Sequence, residues 1–149
     1  STSLSWSVRC IADSLGEGSP TNRYLIAHNF RPHLLYNVSD NVWRFDDVDA
    51  NPRLNVSESQ STAESDVERI LIVRADESNT AELEVYDSDK NLIGSTSGES
   101  PSLSNWQSDT TYIGHDGGNE RLWGGEIDNI YWANKKWSDQ ERDQILSLY

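Results

Sequence analysis

The 149-residue sequence has no methionine, a single cysteine and only two phenylalanines. Without Met even at position 1, the chain reads as a processed or excised piece of a larger protein. One cysteine excludes an internal disulfide. Cys10 alternates with Leu4, Trp6 and Val8, which places it as a buried structural thiol rather than a reactive one. Positive charge is also scarce. Twelve Lys and Arg stand against 25 Asp and Glu, a net charge of −13. A basic stripe able to displace counterions from phosphates is therefore missing, and no nucleic-acid partner is expected. No apolar run approaches the ~20 residues of a membrane-spanning helix, so no membrane insertion is expected either. A basic, then apolar, then small-residue start is not visible, so a signal peptide is absent or already removed.

What is present points to a folded domain. Only 35% of residues are hydrophobic, below the usual share of about 45–50% on a slightly different count. Six Trp and six Tyr offset this thin aliphatic content, because disordered chains are poor in large aromatics. The length fits one domain, residues 1–149. Strand-period alternation dominates. Leu4, Trp6, Val8 and Cys10 form one face of a first strand, with serines and Arg9 on the other. Further strands are predicted over 24–28, 34–38, 42–45, 53–56, 67–74, 82–87, 110–114 and 126–132, with 67–74 central because its apolar density is highest. Residues 46–52 read as an acidic loop, and the glycine-, serine- and proline-containing stretch after Ile93 reads as a loop too. Short strands separated by turns at this spacing predict an all-β sandwich. Only the C-terminus reads as helix. Ser138-Asp139-Gln140-Glu141 is a capping box, and Ile145, Leu148 and Tyr149 follow as an apolar stripe that must dock on a sheet. Asn37-Val-Ser39 and Asn55-Val-Ser57 fit the N-glycosylation pattern, which matters only in a eukaryotic secretory protein.

The last forty residues carry a resemblance. Thr111-Tyr112-Ile113-Gly114, then Leu122-Trp123-Gly124-Gly125-Glu126-Ile127-Asp128-Asn129-Ile130-Tyr131-Trp132, then Trp137-Ser138-Asp139-Gln140-Glu141 resembles the end of laminin-G-like domains. Upstream, 67–74 and the hairpin around Val85-Tyr86-Asp87-Ser88-Asp89 are similar to that family's central strands, although the usual turn glycine is missing. Leu4, Ser5, Trp6 and Val8 fit an early family strand. The resemblance implies a concanavalin A-like jelly roll of two antiparallel sheets with one short C-terminal helix. It also implies a strand before this first one, so the chain reads as a module whose open sheet edge is filled by another segment or protein. Self-association or assembly through that edge is one expectation. An extracellular, cell-surface or virion-surface setting is what the resemblance favours.

Three chemistries are weighed on the residues themselves. Glucanases that share the jelly roll place E-x-D-x-x-E on one strand; here Glu126 and Asp128 share a face but Tyr131 stands at the third acid, so a retaining glycosidase lacks its proton donor. No G-x-S-x-G elbow accompanies His28, His33 or His115. Catalysis is not expected. Calcium is the better prospect. Asp46, Asp47, Asp49 and Asn51 offer several hard oxygens from one loop, although Pro52 occupies the turning position of an EF-hand and excludes that motif. Ligand recognition needs aromatic planes and polar side chains together. Trp43, Trp106 and Trp123 are the candidate stacking rings. His115, Asp116 and Asn119 in the glycine-rich loop complete the candidate ligand site. The function expected is a non-catalytic recognition module for a glycan or protein, calcium-assisted if the acidic loop is occupied. The alternative is a structural module of a larger particle, such as a capsid decoration, tail or fibre.

Overall fold

The computed structural model describes residues 2–12, 22–28, 32–47, 50–57, 67–103, 110–117 and 122–149, without the side chains of 50 and 51. Ten strands and one helix follow in order: β1 (Ser3–Ala12), β2 (Asn22–His28), β3 (His33–Asn37), β4 (Val42–Asp47), β5 (Ala50–Val56), β6 (Val67–Asp76), β7 (Thr80–Tyr86), β8 (Leu92–Glu99), β9 (Thr111–Ile113), β10 (Gly125–Ala133) and α1 (Asp139–Leu146). They form two antiparallel five-stranded sheets, β10-β1-β6-β7-β8 and β5-β4-β3-β2-β9. The expected two-sheet sandwich with one short C-terminal helix is therefore what the chain builds.

The alternation of β1 explains the core. Leu4, Trp6, Val8 and Cys10 are all buried and face the other sheet, where Phe45 of β4 meets Trp6 edge-on at 6.0 Å. β6 shows why 67–74 is so apolar. Leu71 and Val73 enter the inter-sheet core, while Ile70 and Ile72 point the other way and are covered by Trp137, Ile145, Leu146 and Tyr149. A strand buried on both faces needs a continuous hydrophobic run rather than alternation.

α1 is thus a lid on the outer face of the first sheet. Its capping box forms as the sequence predicts: Ser138 Oγ accepts from the Glu141 amide at 3.3 Å, and the Ser138 amide donates to Glu141 Oε2 at 2.9 Å. The lid is pinned at three further points. Ser5 Oγ donates to the Lys135 carbonyl at 2.8 Å and accepts from the Trp137 amide at 2.9 Å, and the hydroxyls of Ser7 and Tyr149 meet at 2.7 Å. Leu148, expected in the docked stripe, is exposed. Replacing Ser138 with alanine removes the cap, and thermal or urea unfolding should register a loss of about 1 kcal/mol.

Two loop expectations are corrected. β8 runs through Gly94-Ser-Thr-Ser-Gly98, where composition suggested a loop, because this stretch pairs residue by residue with β7 and needs no buried side chains at the sheet's end. The acidic stretch is not a loop at its start: β4 continues to Asp47, which pairs with Ala50. In the hairpin lacking its turn glycine, Lys90 takes the left-handed conformation at φ +65°. Asp87 supports the turn, accepting from the Asp89 and Asn91 amides at 2.9 and 2.8 Å. Those bonds, led by the Asn91 side chain, hold its carboxyl below the usual range.

Candidate functional site

The glycine-rich loop begins where β9 ends. Gly114 adopts φ +77°, its amide donates to the Leu25 carbonyl at 2.9 Å, and its carbonyl accepts from the Trp123 amide at 2.8 Å, which closes the loop at its base. At the near side, the Gly117 amide donates to His115 Nδ1 at 3.0 Å, so the neutral ring carries its proton on Nε2. The His115 ring lies 5.0 Å from Tyr112. Gly117, at φ +90°, lies so close to Tyr112 that an added Cβ would sit 3.0 Å from the ring. His115 and Asp116 are half-buried.

Two of the three tryptophans expected to stack on a ligand are buried. Trp43 is fully buried in the inter-sheet core, its ring 4.9 Å from Tyr36 and 6.0 Å from Trp123. Trp123 is 8% exposed and donates from Nε1 to the Glu126 carbonyl at 3.2 Å. Neither ring offers a free face. A chain with no Met and only two Phe uses these indoles as core volume instead. Trp106 and Asn119 lie outside the described residues.

Of the acidic set, Asp46 and Asp47 lie on β4. Asp46 is 4% exposed, and its carboxylate faces three cationic or protonatable groups: His33 Nδ1 at 3.7 Å, Arg53 at 3.6 Å and Arg44 at 4.0 Å. Asp47, its strand neighbour, is 3% exposed and accepts from the Ser102 amide at 3.4 Å. Successive strand residues point to opposite faces, so the two carboxylates diverge instead of converging on one ion. Asp49 and the side chain of Asn51 lie outside the described residues. Among the described residues, no cluster of three His, Cys, Asp or Glu side chains is placed to hold a metal.

Glu126 and Asp128 share the outer face of β10, beside Arg9, which pairs with Glu68 at 2.8 Å and Asp128 at 3.5 Å. With Cys10 and Ile11 they line a depression of about 30 Å³, near the share of a single water and far below the ~300 Å³ at which small-molecule sites begin. Tyr131, at the position of the third acid, packs under α1 with its ring 5.5 Å from Tyr149. Sequence reasoning missed a wider open depression of about 430 Å³ on β7 and β8, lined by Glu82, Glu84, Ser95, Thr96 and Ser97. Its signal was the pairing of alternating acids with alternating hydroxyls. Its carboxylates are already engaged: Glu82 by Arg74 and Lys136, Glu84 by Arg142 at 2.6 Å.

Among the described residues, the two sheets meet more closely along one side of the sandwich than along the other. β5 packs against β8 and β7, so the two sheets meet along that side, and β9 and β10 end the sheets on the opposite side. Trp132 of β10 is the Cα partner of Trp6 and therefore faces the sandwich interior, yet it is 66% exposed where Trp6 is 1% exposed. Tyr131 and Ala133 turn to the helix side, as the alternation requires. Ile127 and Ile130, on the same inner face as Trp132, are half-buried against the core. On β9, Ile113 pairs with core-facing Ile26 and is itself 44% exposed. A three-residue β9 opposite a nine-residue β10 leaves this inner face incompletely covered.

No helix among the described residues is long and apolar enough to cross a membrane. No protein-family profile matches the chain, and no curated protein matches it. Among solved structures, the chain is similar to the tail fiber protein gp63.1 from an E. coli phage at 11% identity and a TM-score of 0.38, over 87% of this chain and 14% of that one. The chain thus spans about a seventh of that protein's length, and at this score the likeness carries no argument about function.

Proposed function

We propose that this chain is a non-catalytic interaction module of laminin-G-like type that engages a protein partner along its β9–β10 side. The observation behind this reading is Trp132, a core-facing tryptophan of a terminal strand left 66% exposed. Exposing an indole that the strand register directs inward is costly in water unless another surface covers it, and tryptophan is among the residues most enriched at binding hot spots. The same side adds Ile113, while Trp43 and Trp123 are used up in the core. The non-catalytic part of the reading rests on Glu126 and Asp128, which sit beside Arg9 in a depression too small for a sugar.

A photo-crosslinking residue placed at position 132 tests this in the native source. Irradiation should yield a covalent adduct with a polypeptide, read by mass spectrometry, and the same residue at solvent-exposed position 92 should yield none. Absence of any polypeptide adduct at 132 overturns the reading.

A further inference from the structure

β10 owes the facing of its second half to one extra residue. Arg9 of β1 pairs with Asp128 and Ser7 with Tyr131, so Val8 alone stands opposite both Asn129 and Ile130. This is a β-bulge, and within it Asn129 takes the left-handed conformation at φ +48°. Glycine adopts that conformation freely; asparagine is among the few other residues that tolerate it. With the bulge in place, Ile130 and Trp132 lie toward the other sheet, while Tyr131 and Ala133 lie on the helix side. Drawn into regular alternation, the same residues would exchange faces, because a slip of one residue turns every side chain over.

A side chain outside the strand holds the bulge. The Tyr149 hydroxyl donates to the Asn129 carbonyl at 2.7 Å and meets the hydroxyl of buried Ser7 at 2.7 Å. Its one proton is given to Asn129, so it accepts from Ser7. The Tyr149 ring also stands edge-on to Tyr131. Hydroxyl and ring therefore both favour the bulged register.

We infer that β10 has a second, bulge-free register and that Tyr149 is the latch selecting the first. Resting on the reading above, the latch regulates the interaction side, because it decides whether Trp132 is offered there or folded beneath α1. Neither register satisfies every group. The first sets Ile130 against the core but keeps Asn129 left-handed and Trp132 66% exposed. In the second, Trp132 takes the place of Ala133 beside Trp137, and Asn129 leaves the left-handed region. Asn129 then turns toward an inner face that the three-residue β9 covers incompletely, so it keeps contact with water. The exposed bend at Asn134 and Lys135 takes up the displaced residue. What the second register loses is the Ile130 packing and the Tyr149 hydrogen bond.

Fluorotryptophan labelling with fluorine saturation-transfer NMR reads the two states, and W132F assigns the Trp132 signal. The wild type should show one dominant Trp132 resonance that shifts between light and heavy water, as an exposed indole does. Y149F removes the hydroxyl and keeps the ring. It should enrich a second Trp132 resonance, with a smaller solvent shift, by about threefold to tenfold, the effect expected of one hydrogen bond. Deletion of Asn129 removes the extra residue and fixes the inward facing, so the second resonance should vanish when that deletion is made in Y149F. N129G suits the left-handed conformation and should deplete it as well, which keeps the test open if the deletion does not fold. Absence of a second resonance in Y149F overturns the inference. So does a second resonance that neither change at Asn129 depletes, since that reports a loosened helix and not a register. An adduct from position 132 without a second resonance removes the latch and leaves the interaction module standing. Two registers without any adduct keep the latch and remove the partner.

Discussion

Replacing Trp6 with alanine should lower the unfolding free energy by about 3–5 kcal/mol. The ring is 1% exposed, faces Phe45 edge-on across the sheets, and stands on the strand held between β10 and β6. Removing it leaves a cavity that a sandwich this poor in flexible side chains cannot refill: there is no Met to shift into it, and its facing partner Phe45 is one of only two phenylalanines. A domain of this size has about 5–15 kcal/mol in total, so the variant should unfold at a much lower urea midpoint with an unchanged slope. A loss under about 1 kcal/mol would mean that the two sheets do not meet around this indole.

The second large effect belongs to Arg74. Its side chain is only 6% exposed on the outer face of β6, where it binds Glu82, donates to Asp139 at 2.6 Å and lies 3.6 Å from Glu84. It also reaches the Trp137 carbonyl at 3.4 Å, so one guanidinium ties β6 to β7 and to the start of α1. Truncation to alanine strands Glu84, whose side chain is 11% exposed, with Arg142 as its remaining partner. Removing one member of a buried ionic group costs about 3–5 kcal/mol, and Arg74→Ala should fall near the lower bound because Arg142 remains. Adding Glu84→Gln should recover part of that loss. The same arginine, by hydrogen bond and by charge, holds the Asp139 carboxyl below its ordinary range. Its contribution is complete above the unfolded carboxylate pKa and fades as pH falls through the depressed folded value. The wild-type protein should therefore lose stability on acidification in that window, and Arg74→Ala should lose less there. An Asp139 titration that does not move upward in the variant removes Arg74 as the cause.

These two residues differ in how openly the sequence declares them. Trp6 is legible because alternation over Leu4, Trp6, Val8 and Cys10 separates a dry face from a wet one. The capping box at Ser138 and Glu141 is equally open, since both partners lie within one helical turn. Arg74 is not, because its partners lie 8 and 65 positions away and only the fold brings them together. The candidate site was less legible than the fold for a related reason. Alternation says which way a side chain points but not whether an opposing layer covers it. Alternation puts Trp132 on the face opposite Tyr131, yet its exposure depends on how short β9 is. Trp43 and Trp123 looked available near loops, but the lack of aliphatic volume draws them inside. Asp46 and Asp47 looked like a ligand loop because local composition cannot show that a strand runs on through them.

The place of β1 has a consequence for synthesis of the chain. Its neighbours are far along the chain: β6 more than fifty residues later and β10 more than a hundred. More than a hundred further residues must emerge before Trp6 gains both flanking strands, so the first sheet cannot assemble in step with translation. Non-local pairing of this kind folds in milliseconds to seconds, not microseconds. During that delay an unpaired, tryptophan-bearing ribbon is exposed to every other nascent chain nearby, which makes the ribosome and its chaperones part of how this sandwich reaches its final form.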